Sequence, residues 1–218
     1  MTLRLLSCAC AAALMAGLPP AWADAAPARP PTHTHSHKHP HPRAAKAPPG
    51  PAASYTGRFT SQCDKMAEGL YTQDIVDLQP LAPQRIQAQY HKALYTEADC
   101  ALSARLGTMH LPLTTWQIDG QVKVGKTTAH RVTVQMPAGL ITATVDQSDK
   151  VKETDKAWVL TIGTEQVPIE KAADAMLEKD LRLIENGVLY FGDPGSPDAQ
   201  GYPQEALRNH PMKRTPTP

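Results

Sequence analysis

From Tyr55 to Phe191 the apolar residues fall at every second position in one short run after another, a pattern that buries one face only as β-strand. In RIQAQYHKALY, Ile86, Ala88 and Tyr90 share a face, with Gln87, Gln89 and His91 on the other. TTWQIDGQVKV assigns Trp116, Ile118, Val122 and Val124 to one face, with Gly120 expected to mark a bulge or bend. HRVTVQM repeats the pattern with Val132, Val134 and Met136, and LITATV and KAWVLTI follow at the spacing of antiparallel neighbours. Asn186-Gly187, between LRLIE and VLYFG, is the strongest hairpin signal, because both residues tolerate the positive φ of a type I′ turn. One segment departs from the pattern. PIEKAADAMLEKDL is rich in helix formers, and Ala172, Met176, Leu177 and Leu181 predict one face of a single late α-helix. The whole predicts an all-β barrel or sandwich with that one helix.

Upstream the composition changes. Arg4, the apolar run Leu5 to Leu18 and the small-x-small pattern Ala21-Trp22-Ala23 read as a secretory signal peptide, residues 1–23. The run is shorter than the roughly 20 residues of a membrane span, so no membrane span is expected. Leu6-Ser7-Cys8 looks like a lipobox, but almost no apolar segment precedes it. From Asp24 to Ala53 there is no Val, Ile, Leu, Met, Phe, Trp or Tyr, and there are eight prolines. Such a stretch cannot bury apolar surface, so residues 24–54 are expected to be a disordered Pro/His-rich arm. The body then runs over residues 55–209, long enough for one core, and residues 210–218 are expected to fray as a tail. From Ser54 onward 17 basic residues face 20 acidic ones, and the arm carries four basic residues against Asp24. Neither half is charged strongly enough to imply nucleic acid as a partner.

The arm holds the densest chemistry. THTHSHKHPHP places His33, His35, His37, His39 and His41 at alternate positions, and neutral imidazole is a good ligand for zinc, copper or nickel. In an extended chain these side chains lie about 7 Å apart, so the arm must bend for several rings to reach one ion. Pro40 and Pro42 exclude a helix across the run. Labile, adaptable binding of a transition-metal ion is the expectation, with no cofactor required for folding. The bland alternative is a soluble linker.

Loss of the leader would leave Cys63 and Cys100, an even pair that is most simply a disulfide in an exported, periplasmic or secreted protein. Zinc ligation by these thiols is disfavoured by the lack of CxxC or HxxxH spacing. Gly57-Arg58-Phe59 is similar to the Gly-x-Trp opening of lipocalin-type barrels, with Phe in the place of Trp. Cys63, YTEADC ending at Cys100, GVLYFGD and GYP together resemble secreted lipocalin-like barrels and domains of the adenomatosis-polyposis-coli down-regulated type. The resemblance spans residues 55 to about 207. It implies a single antiparallel barrel tied by one disulfide across its early strands and able to hold an apolar molecule.

No G-x-S-x-G, H-E-x-x-H, phosphate-cradling loop or cysteine nucleophile occurs, and a non-enzyme is expected. The carboxylate pairs Asp74 with Asp77 and Glu97 with Asp99 read as solvated. His91 is expected on an exposed polar face, His110 in a loop, His130 at the start of a strand and His210 in the tail. A second metal site from these would need convergence in space that the sequence does not display. The leading expectation is an exported binding protein with a small apolar ligand and a metal-binding arm. Its rival is a structural or assembly protein of the cell envelope with a solid barrel and a protein partner.

Overall fold

The alternating runs pair into one sheet of eleven strands, with separate sheets of three and two strands. The computed structural model describes residues 50–195 and 197–215, so His33, His35, His37, His39 and His41 lie outside the described residues. In chain order the strands are β1 (Gly57–Thr60), β2 (Asp64–Ala67), β3 (Leu70–Ala82), β4 (Arg85–Tyr95), β5 (Arg105–His110), β6 (Thr114–Val124), β7 (Thr127–Met136) and β8 (Gly139–Leu140). They continue as β9 (Thr142–Val145), β10 (Val151–Glu153), β11 (Ala157–Ile162), β12 (Glu165–Glu170), β13 (Ala172–Ala173), β14 (Met176–Glu185), β15 (Val188–Phe191) and β16 (Met212–Thr215). The order β3-β1-β16-β15-β14-β7-β6-β4 closes on itself through the β3–β4 pairing, an antiparallel barrel of eight strands. Phe59, Val76, Ile86, Ala88, Trp116, Val132 and Leu189 turn inward and are fully buried, as their alternation demands. Each large apolar side chain so buried contributes about 1.5–3 kcal/mol.

The β3–β4 hairpin outruns the barrel. Its near half pairs with β1 and β6, while its far half pairs with β2 and β5, and β5 carries β9 at its edge. Between β7 and β14, which face each other at Met136 and Met176, residues 137–175 leave the barrel and supply β8 through β13. They enclose a second core around Leu70, Leu94, Leu106, Trp158, Leu160 and Ile169. The disulfide joins Cys63, before β2, to Cys100, after β4, with their Cα atoms 5.8 Å apart. It therefore ties down the far half of the hairpin.

Three expectations are corrected. The segment expected to be the late helix is strand: it ends β12, forms β13 and opens β14. Leu177, placed on the apolar helix face, is 75% exposed. β14 is laddered on both sides, to β7 and β15, and those bonds outweigh propensity differences of at most about 0.7 kcal/mol per residue. Residues 212–215, expected to fray, are β16, a barrel strand bonded to β1 and β15. The bulge expected near Gly120 does form, and it inverts the face beyond it. The register slips by one residue between Ile118 and Gly120. Val122 and Val124 consequently pack outside the barrel against Ala129, Leu181 and Leu183, and Gln121 turns towards the buried His130.

The barrel's N-terminal end is plugged. A 3₁₀ turn, Pro51–Ser54, seats Ala52 in the barrel core and donates its N–H to Pro83 O at 3.0 Å, although Ala52 was counted with the arm.

Candidate functional site

Two polar constellations are built by the strand register, one inside the barrel and one on its outer wall. The inner one centres on Arg182 of β14. Because Arg182 lies opposite His130 and Asp180 opposite Val132, both side chains face inward. The side chains are only 3% and 8% exposed, and they form an ion pair through Arg182 Nη1 and Asp180 Oδ2. The guanidinium lies between two rings, 4.6 Å from the Trp116 centroid and 4.2 Å from that of Phe191. Desolvation opposes its charge, but the fields of Asp180 and Tyr90 outweigh that and raise its pKa further. Asp180 Oδ1 accepts from the Gly192 N–H at 2.9 Å. A Cβ at Gly192 would come within 2.7 Å of that oxygen, so only glycine lets the backbone approach.

Two buried donors in this cluster, Arg182 Nε and Trp116 Nε1, make no hydrogen bond of full geometry, and the Tyr90 phenol is the polar group beside both side chains. Tyr90 stands beside them, its ring 6.3 Å from Trp116. Burial pushes the Tyr90 phenol up to about 12, against the lowering pull of the Arg182 charge. Yet Tyr90, Phe191 and Met176 are only half-buried while packing on the barrel core. Buried donors set among aromatic side chains suit a hydrogen-bond acceptor on an otherwise apolar molecule.

Beside this cluster, Tyr55 is buried in the barrel core. Its hydroxyl donates to Arg182 O at 2.9 Å and meets His130 Nδ1 at 2.8 Å, while His130 Nε2 lies 3.2 Å from Gln121 Nε2. Burial lowers the His130 pKa, which keeps the ring neutral. A neutral ring with its proton on Nδ1 satisfies all three contacts: Nδ1–H donates to Tyr55, and Nε2 accepts from Gln121. His130 was expected at the start of a strand; it lies within β7 and is buried.

The outer constellation crosses five adjacent strands with one side chain from each. Arg58 of β1 holds Asp77 of β3 in a two-pronged bond, Nε at 2.8 Å and Nη2 at 2.7 Å. Asp77 Oδ2 accepts from His91 Nε2 of β4 at 3.1 Å. His91 Nδ1 meets His110 Nδ1 of β5 at 2.7 Å, and His110 Nε2 meets Thr144 Oγ1 of β9 at 3.0 Å. The His91 side chain is 14% exposed and paired at both nitrogens, where solvation was expected, and His110 ends a strand rather than lying in a loop. Asp74 and Asp77 do not act together, since Asp74 pairs with Lys92 and Asp77 with Arg58. A groove of about 330 Å³ beside Arg58 and Asp77 has Leu78, Gln79, Gln87 and Gln89 among its lining residues.

The Arg58 bond, foremost, holds the Asp77 carboxyl below its usual range. A depressed carboxyl contributes stability that is complete above its unfolded pKa, about 3.9, and is lost as pH falls through the lower folded value. The urea midpoint of the wild type should therefore drop across that acid window, and that of Asp77→Asn should drop less. Parallel pH profiles for the two proteins would refute this role.

Of the sites expected from sequence, Cys63 and Cys100 are bonded to each other. Arg182, Asp180, Trp116 and Tyr90 went unmarked, although a charged pair alternating with Leu181 and Leu183 in a strand was the available signal. Among the described residues no three His, Cys, Asp or Glu side chains converge on one point, and no helix is long and apolar enough to cross a membrane. No protein-family model, curated protein or solved structure matches this chain.

Proposed function

We propose that the protein is an exported, non-enzymatic binding protein. Its barrel takes a small, largely apolar molecule carrying one hydrogen-bond acceptor, and its histidine arm holds a transition-metal ion. The observation that supports the barrel part is the buried cluster of Arg182, Trp116 and Tyr90, in which Arg182 Nε and Trp116 Nε1 make no hydrogen bond of full geometry, beside partly buried Phe191. An unmet buried donor costs about 1–3 kcal/mol, and a ligand acceptor would recover that free energy on binding. The Cys63–Cys100 bond supports an oxidising compartment. The arm part rests on five imidazoles within residues 33–41.

Titration of the protein with N-phenyl-1-naphthylamine, read by the probe's own fluorescence, and its displacement by a medium-chain fatty acid test the barrel. Saturable binding of the acid at one equivalent is expected. Trp116→Phe removes one donor and keeps the ring, so it should weaken the acid by roughly two- to tenfold, the worth of about 0.5–1.5 kcal/mol, and leave the naphthylamine nearly unchanged. Equal weakening of both probes would sink the donor's role. Calorimetry with copper(II), nickel and zinc tests the arm. Binding should fall steeply below about pH 6, as protons compete for imidazole, and should be lost when the five histidines become alanine.

The second reading is the envelope assembly protein with a solid barrel. It is favoured by the complete burial of Phe59, Val76, Ile86, Trp116 and Leu189 and by the buried Tyr55. Failure of both probes to bind would select it.

A further inference from the structure

We propose that His91 and His110 form a two-coordinate site for a monovalent d¹⁰ metal ion, copper(I) in biology, held between their Nδ1 atoms. This site is independent of both the interior ligand and the arm. The geometry begins with Asp77. A carboxylate tied to Arg58 only accepts, so His91 Nε2, 3.1 Å from Asp77 Oδ2, carries the proton and His91 Nδ1 is left with its lone pair. That lone pair faces His110 Nδ1 at 2.7 Å. The ring centroids are 4.9 Å apart, hardly less than the nitrogen separation plus the two ring radii, which is the greatest value this contact allows. The two nitrogens are therefore aimed at each other almost end-on.

The remaining nitrogen of His110 lies 3.0 Å from Thr144 Oγ1, and a hydroxyl can either donate or accept. Without metal, His110 carries its proton on Nδ1, donates it to His91 and accepts from Thr144. With metal, the same proton moves to Nε2 and Thr144 accepts it, which frees the second lone pair. Both rings stay neutral, no proton is released, and both outer ring nitrogens keep their partners. An ion on the axis, with bonds of about 2 Å, requires the rings to part by roughly 1 Å.

The choice of ion follows from the donor count. Zinc in protein sites takes four ligands, and among the described residues no third His, Cys, Asp or Glu joins this pair. Two opposed imidazoles suit a d¹⁰ ion that accepts linear coordination. The Arg58 charge that would repel a cation is matched by Asp77.

The test uses the ¹⁵N-labelled full chain with His33, His35, His37, His39 and His41 changed to alanine, so that the arm cannot compete. Silver(I) serves as the air-stable probe, followed by copper(I) under nitrogen. Long-range ¹H–¹⁵N spectra should show the Nδ1 resonances of His91 and His110 shifting together and saturating at one equivalent, with His130 and His210 unmoved. His110→Ala should abolish the effect. Thr144→Val keeps both nitrogens and removes only the outer partner, so it should weaken silver by roughly tenfold. No shift at either ring would overturn the site, as would undiminished binding in both variants. Zinc bound at the same nitrogens as tightly as silver would overturn the two-coordinate assignment. The arm is judged separately, by calorimetry on the unsubstituted chain.

Discussion

Arg182→Met should destabilise the protein by about 3–5 kcal/mol, the cost of leaving one partner of a buried ion pair uncompensated. The guanidinium neutralises Asp180 in a site where the two side chains are 3% and 8% exposed, and it fills the space between Trp116 and Phe191. Methionine restores some of the packing and none of the charge. For a domain of this size the melting temperature should fall by roughly 6–20 °C, at about 2–4 °C per kcal/mol. Removing the second charge as well separates the electrostatic effect from the packing effect. In Arg182→Met with Asp180→Asn no buried charge is stranded, and the asparagine carbonyl can still accept from the Gly192 N–H. The double variant should therefore be more stable than Arg182→Met alone, since a buried pair replaced whole is often close to neutral. Chemical denaturation of the three proteins measures this directly. A single variant within about 1 kcal/mol of wild type would mean that water reaches Asp180 and that the interior is wetter than its geometry implies.

The second large effect is expected at the disulfide. Replacing Cys63 and Cys100 together with alanine opens a bond whose ends are 37 residues apart. The chain-entropy model puts the loss at about 4 kcal/mol, and the far half of the β3–β4 hairpin should loosen first, because the bond ties its two flanks. Cys100 sits at φ 51°, a left-handed conformation in which a side chain is strained by about 1–2 kcal/mol. Glycine takes that conformation freely. Cys63→Ala with Cys100→Gly should thus be more stable than the double alanine by about 1 kcal/mol, an ordering that loss of the cross-link alone does not produce. Alkylation of the protein without reductant, read by mass spectrometry, should find no free thiol at Cys63 or Cys100. Two alkylated cysteines would remove the bond and the predicted loss with it.

Local pattern carried much of this architecture. Alternation placed Ile86, Ala88, Trp116, Ile118, Val132 and Val134 in the barrel core, and Asn186-Gly187 marked the β14–β15 turn, where both residues have positive φ. These are properties of neighbouring residues, since a pleated strand presents every second side chain to the same face whatever it pairs with. Cys63 and Cys100 were legible for another reason, because a body with two cysteines offers them one simple partnership.

Tertiary structure decided the rest. The stretch around Ala172 and Met176 has helix-forming composition but becomes strand, because β8 pairs with Ala172 and Ala173, β7 pairs with it from Met176 onward, and Leu181 is buried on the outer side of the barrel. Pro168 fits in β12 because that strand is an edge of its sheet. One extra residue at Asp119 reverses the faces of Val122 and Gln121, a shift that depends on the register of a partner strand. The inner cluster of Trp116, Arg182 and Tyr90 and the outer line from Arg58 to Thr144 join residues far apart in the chain. Only antiparallel register brings them together. Residue alternation depends on chain geometry and is written locally, whereas the pairing of strands depends on burial and hydrogen bonds summed over the closed barrel.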